Sequence, residues 1–208
     1  MKEKFLQYLQ YDYYFFISVL FLLFITIFYF LKIEENKKNK IYLFLFYLTL
    51  FFFILWSLFL SYNQYLIWKN HPLSKFLLPP YQKIDYFIGY AYFHFWRDLV
   101  FRLIGVLIIL LLMNFLNFVF NRDIFYDDEK ILIPYFALFF RFPYNTLFLF
   151  IGFFALFSII FIKNILFSQR LSSTFYFSFR NYWLYLAILL LILQPLILSN
   201  YKFLKYTP

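Results

Sequence analysis

The chain has 208 residues, 65% of them hydrophobic and 14% charged, with a mean hydropathy of +0.74. A soluble domain of this size cannot bury so much apolar surface, because a large share of its residues must face water, so the excess requires lipid. The formal charge of +9 comes from Lys and Arg scattered over loops and helix ends, the placement expected for topology and contact with membrane lipids, and no nucleic-acid partner is expected.

In hydrocarbon each span must satisfy its own backbone hydrogen bonds, which leaves helices or a closed barrel. Barrel strands would alternate polar and apolar residues over short segments, whereas the apolar stretches here are long and unbroken. The predicted class is therefore all-α. It is a polytopic transmembrane helical bundle of about five spanning helices, with a re-entrant or broken half-helix and an interfacial helix, in a single domain over residues 1–208. The absence of cysteine removes disulfides, thiol catalysis and thiolate metal sites. Phe (37) and Tyr (21) far outnumber Gly (3), although membrane helices commonly use small residues at their contacts. Phe, Tyr, Ile, Asn and Lys share AT-rich codons, which points to an AT-rich genome, of an organelle or a reduced bacterium. A GC-rich coding sequence would contradict that origin.

In chain order, the first apolar run covers residues 13–31. It is too long for a signal-peptide core and reads as an uncleaved signal-anchor helix. A charged turn, Lys32 to Lys40, leads into a second span at 41–62, so the first two helices form an antiparallel hairpin. Residues 63–98 form the longest stretch without a span. Pro79-Pro80 interrupts any helix there, and Trp68 and Trp96 fit a headgroup belt. This stretch is read as interfacial, with its latter part helical.

The third span is predicted at 99–120, followed by a polar link with Asp127, Asp128 and Glu129. Residues 131–140 are apolar but too short to cross, and Arg141, Pro143 and Asn145 interrupt them, as in a half-helix or a kinked helix. The last two spans are expected at 146–162 and 182–198. Basic residues are nearly balanced between the two sides, so they do not set an orientation. There is no internal repeat of the kind many secondary transporters show.

Four residues are weak candidates for chemistry. His94, Asp98 and Arg102 are spaced four apart, a spacing that shares one helix face, and a His beside a carboxylate can relay or abstract protons. The plainer reading is that Asp98 neutralises Arg102, one turn inside the apolar run, while His94 stays at the interface. Arg141 is flanked by apolar residues, and an Arg buried in a membrane protein is a functional candidate. Arg141, Asn145 and Gln194 together resemble the rotor-facing helices of the proton-channel subunit a of ATP synthase. The resemblance is confined to those positions, and Pro143 and the acid-poor later helices depart from it.

Asp127, Asp128 and Glu129 offer oxygen ligands for a hard cation, but acids just before an apolar helix more often cap it and offset its dipole. His71 beside Pro72 lacks a metal-binding spacing. No metal and no cofactor is expected. Polar residues within the spans are isolated (Thr26, Thr49, Ser57, Asn114, Asn117, Ser158), and the span centres carry no ionisable group, which weighs against transport. The expected function is therefore a non-catalytic subunit or scaffold of a membrane complex, packed against other integral membrane subunits. The alternatives are a small ion or proton channel or transporter, and an interfacial enzyme acting on lipid-linked substrates. The expected location is a bacterial cytoplasmic membrane or the mitochondrial inner membrane.

Overall fold

A computed structural model describes residues 2–31, 33–119, 125, 127–140, 147–148, 150–155, 158 and 180–200. Regular structure among the described residues is entirely helical. Helix α1 (Lys2–Phe30) is followed by α2 (Glu35–Asn70), a short 3-10 turn (Ser74–Leu77) and α3 (Ile84–Ala91). A π turn (Tyr92–Trp96) joins α3 without a break to α4 (Arg97–Val119). Helices α5 (Glu129–Phe139) and α6 (Arg180–Asn200) complete the described elements. Among the described residues, three helical stretches are long and apolar enough to cross a membrane: Tyr13–Phe30, Glu35–Asn70 and Ile84–Phe118. Of the span expected at 146–162, residues 147–148, 150–155 and 158 are described and the rest lie outside the described residues. In α6 the described apolar part is the shorter Tyr182–Leu193.

The helices pack because each carries one inward stripe. On α2 the buried positions are Tyr42, Leu45, Thr49, Phe53, Ser57, Leu60, Gln64 and Trp68, every third or fourth residue along its whole length. On α4 they are Leu99, Arg102, Val106, Ile109, Met113 and Leu116, so Arg102 holds a core position in an otherwise apolar seam. The outward positions of the long helices, such as Phe16, Phe44, Leu107 and Phe118, are large and exposed. That distribution is the one lipid-facing helices require.

Both α2 and the α3–α4 helix extend beyond the apolar runs 41–62 and 99–120. Ser57 contacts Phe95, and Trp68 meets Phe87 with ring centroids 5.5 Å apart, so the two helices run antiparallel up to their connection. Residues 63–70 and 84–98 are thus the walls of a long helical hairpin, whereas 71–83 is its non-α connection. Trp68 is buried inside that hairpin in a small second core with Leu60, Leu78, Phe87, Ala91 and Phe95 rather than standing at a lipid-facing belt. The connection is ordered by His71, whose ring Nδ1 accepts from the backbone N–H groups of Leu73 (3.3 Å) and Ser74 (3.2 Å). At the opposite end, Lys38 donates to the Tyr29 carbonyl (3.0 Å), tying the last turn of α1 to the start of α2.

One glycine is required by packing. A Cβ on Gly152 would lie 2.2 Å from the six-membered ring of Trp183, which is fully buried on α6 between Phe148 and Phe153. Gly152→Ala is expected to destabilise the protein by about 1–3 kcal/mol through overpacking, measured by thermal unfolding in mild detergent. Adding Trp183→Phe, which removes the clashing atoms, should recover part of the loss. An unchanged melting temperature for Gly152→Ala would contradict this packing.

Candidate functional site

The site begins with α5, an 11-residue helix that stops inside the bundle. Its buried residues run from Glu129 through the whole of Leu132–Phe139. At about 1.5 Å per residue it is roughly 16 Å long, close to half of a hydrocarbon layer of about 30 Å. The ladder ends because Phe140 turns to an extended conformation (φ −95, ψ 134), just before the Arg141-Phe-Pro sequence. A helix end leaves its last carbonyls without intrahelical donors, and here water cannot supply them.

Arg102 supplies them. Its Nη1 donates to the carbonyls of Leu138 (2.9 Å) and Phe139 (2.8 Å), and its Nε donates to Asp98 Oδ2 (3.1 Å). The Arg102 side chain is 2% exposed and that of Asp98 16%, so this ion pair is largely removed from water. The guanidinium also lies over the rings of Tyr14 (5.2 Å) and Phe53 (5.4 Å), whose faces favour a cation. A positive group at a helix C-terminus also complements the partial negative charge of the helix dipole there.

Hydroxyl groups extend the network to the other helices. Ser57 on α2 donates to the Phe95 carbonyl in the π turn (3.1 Å). Its single proton is thereby committed, so the Tyr14 hydroxyl donates to Ser57 Oγ and joins α1 to α2. Thr49 donates to the Leu45 carbonyl (2.8 Å) and accepts from the Tyr135 hydroxyl (2.7 Å), joining α2 to α5. Trp96 Nε1 donates to Ser61 Oγ (3.1 Å) and pins the end of the π turn against α2.

Of the four candidates, the structure brings Asp98 and Arg102 together as an ion pair. His94 lies within the π turn, where the Arg97 N–H reaches back five residues to the Tyr92 carbonyl, and a four-residue spacing no longer fixes a common face there. The His94 ring packs on Tyr90 with centroids 4.1 Å apart. Arg141 and Asn145 lie outside the described residues, as does the side chain of Gln194.

The guanidinium of Arg102 lies over Phe53, within the apolar run 41–62 of α2. One sequence expectation requires correction. It concerns Asp128, which occupies the position before α5 but makes no side-chain capping bond. Its backbone is already helical (φ −71, ψ −34), whereas a capping side chain needs an extended residue there. Asp127 instead pairs with Lys130 at 3.1 Å, while Asp128 and Glu129 are buried near the start of α5. The residues the sequence reading missed are Leu138 and Phe139, which take part through backbone oxygens alone.

Chemically, the arrangement can hold a helix end in place. A guanidinium only donates hydrogen bonds, and three of those from Arg102 end on Asp98, Leu138 and Phe139. Replacing Arg102 with Leu is expected to cost about 3–5 kcal/mol by breaking the ion pair with Asp98 and removing the donor to two carbonyls. Arg102→Lys should fall between, because one nitrogen cannot reproduce the planar fork. The double variant Asp98→Asn/Arg102→Leu should be more stable than Arg102→Leu alone, since both charges of the pair are then removed together. Thermal unfolding in mild detergent reads all three, and an Arg102→Leu protein melting like the parent would contradict the assignment. No protein-family model matches the chain, and neither the curated proteins nor the solved structures give a match.

Proposed function

We propose that this chain is a multi-pass subunit of a larger membrane assembly, crossing about five times and acting as a structural element rather than a catalyst. The proposed setting is a bacterial cytoplasmic membrane or the mitochondrial inner membrane. One observation carries this reading. The buried Arg102 side chain directs its bonds to Asp98 and to the carbonyls of Leu138 and Phe139, all within its own fold. The hydroxyls of Ser57, Thr49 and Tyr135 are likewise engaged between helices of this chain. Polar groups in the apolar layer thus serve assembly of the bundle. The wide exposed apolar faces of α1, α2 and α4 are available to lipid and to neighbouring membrane helices.

A second reading, a small ion channel or transporter, draws on the half-helix. Half-helix ends near mid-membrane often build ion sites, and α5 ends beside an ionisable pair. In that reading His94, Asp98, Arg102 and Arg141 would line the path.

Extraction from the native membrane in mild detergent, followed by native electrophoresis and mass spectrometry, separates the two. Migration within a large assembly of defined composition is the expected result. Migration as a monomer or small homo-oligomer, with solute flux by the purified protein in liposomes that Arg141→Ala abolishes at unchanged protein level, would overturn the subunit reading.

A further inference from the structure

The tip of the α2/α3 hairpin carries exposed groups that the bundle does not use. Between α2 and α3, Leu73 is 74% exposed, and Phe76 and Tyr81 stand exposed beside it with ring centroids 4.8 Å apart. Around them Lys69, Lys75 and Lys83 are exposed, against one exposed acid, Asp85. Exposed aliphatic and aromatic side chains in a basic ring form the pattern of a segment seated at a lipid interface, with anionic headgroups as the complement to the lysines. An acidic protein surface would match the charge, but it would leave Leu73, Phe76 and Tyr81 without an apolar neighbour.

The length of α2 lets this tip reach a headgroup layer. From Ile41 to Trp68, past the end of the apolar run at residue 62, α2 spans about 42 Å, more than the roughly 30 Å of hydrocarbon. A tilt of about 20–40° projects that length onto roughly 32–39 Å, which is the hydrocarbon plus one headgroup layer. We infer that the hairpin tip, residues 69–83, is an anchor for anionic lipid headgroups, with Lys69, Lys75 and Lys83 meeting phosphate and Leu73, Phe76 and Tyr81 entering the acyl boundary. The inference rests on the membrane reading above and names one partner for it, an anionic lipid surface.

The chain has no cysteine, so single labels can be placed at will. Leu73→Cys carries an environment-sensitive fluorophore at the tip, and Leu107→Cys carries it on the lipid-facing side of α4. The full chain is placed in nanodiscs of phosphatidylcholine alone, or with about a third phosphatidylglycerol, and spin-labelled lipid serves as quencher.

The expected result is quenching at Leu73→Cys in the anionic discs, with much less in the neutral ones. Changing Lys69, Lys75 and Lys83 to Gln should remove that difference, lowering the bound-to-free ratio of the tip on the order of a hundredfold. Equal quenching in both lipids overturns the anionic selectivity. An unquenched tip with a quenched Leu107→Cys overturns the anchor and leaves the membrane reading standing, directing attention to a protein partner. No quenching at either site overturns both.

Discussion

A helix that ends inside an apolar bundle carries carbonyl groups that neither water nor its own backbone can satisfy, and α5 is such a helix. The rest of the bundle is arranged around that problem. The donor must reach two adjacent carbonyls at once and remain charged in a dry site, conditions that favour a planar guanidinium over an ammonium. Its charge then needs a partner, which Asp98 provides one turn earlier on the same helix. Its flat faces need neighbours, which Tyr14 and Phe53 provide from α1 and α2. Four helices are therefore fixed in mutual register at one point, because each contributes one component around a single side chain.

Away from that point, the bundle is joined by hydroxyl groups and rings. Membrane helices often approach through small residues, but only three glycines occur in the whole chain. Hydroxyl contacts join the helices instead, from Tyr14 to Ser57 and from Tyr135 to Thr49. Tilted and edge-on ring pairs such as Phe46 with Tyr135 and Phe148 with Trp183 occupy the remaining space. Where backbone does come close, at Gly152 against Trp183, the absence of a side chain is what permits it. The high aromatic content thus takes part in packing the helices.

How far the sequence exposes this arrangement depends on which chemical group does the work. The Asp98–Arg102 pair was legible, because oppositely charged residues four apart on a helix meet regardless of the fold around them. Leu138 and Phe139 were not, because they act through carbonyl oxygens that every residue possesses and leave no signature in side-chain identity. The hairpin was legible in part. Asn63 and Gln64 look like the end of a span, yet the inward stripe continues at the same spacing from Leu60 through Gln64 to Trp68. Extending that periodicity past the polar pair would have carried α2 to its full length. The π turn hid the setting of His94, since one wider turn changes which residues share a face and no residue type announces it. That Asp128, within the acidic run Asp127–Glu129 expected to cap α5, makes no capping bond was not legible, because capping depends on backbone angles that composition does not encode.

The burial of Arg102 bears on function more than its identity does. A charge held among apolar helices can serve as part of a pathway, where it exchanges partners or titrates, or as a fixed element of structure. Exchange of partners would require the guanidinium to release the end of α5. Release would expose the Leu138 and Phe139 carbonyls together with Asp98 in a layer that offers no water, at a penalty comparable to breaking a buried ion pair. A path through this point would therefore need α5 to move as a unit. α5 is instead held along its length by Tyr135 to Thr49 and at its end by Arg102. On the proposed reading the charge serves rigidity, and the surfaces left for interaction are the outward apolar faces and the basic tip of the hairpin.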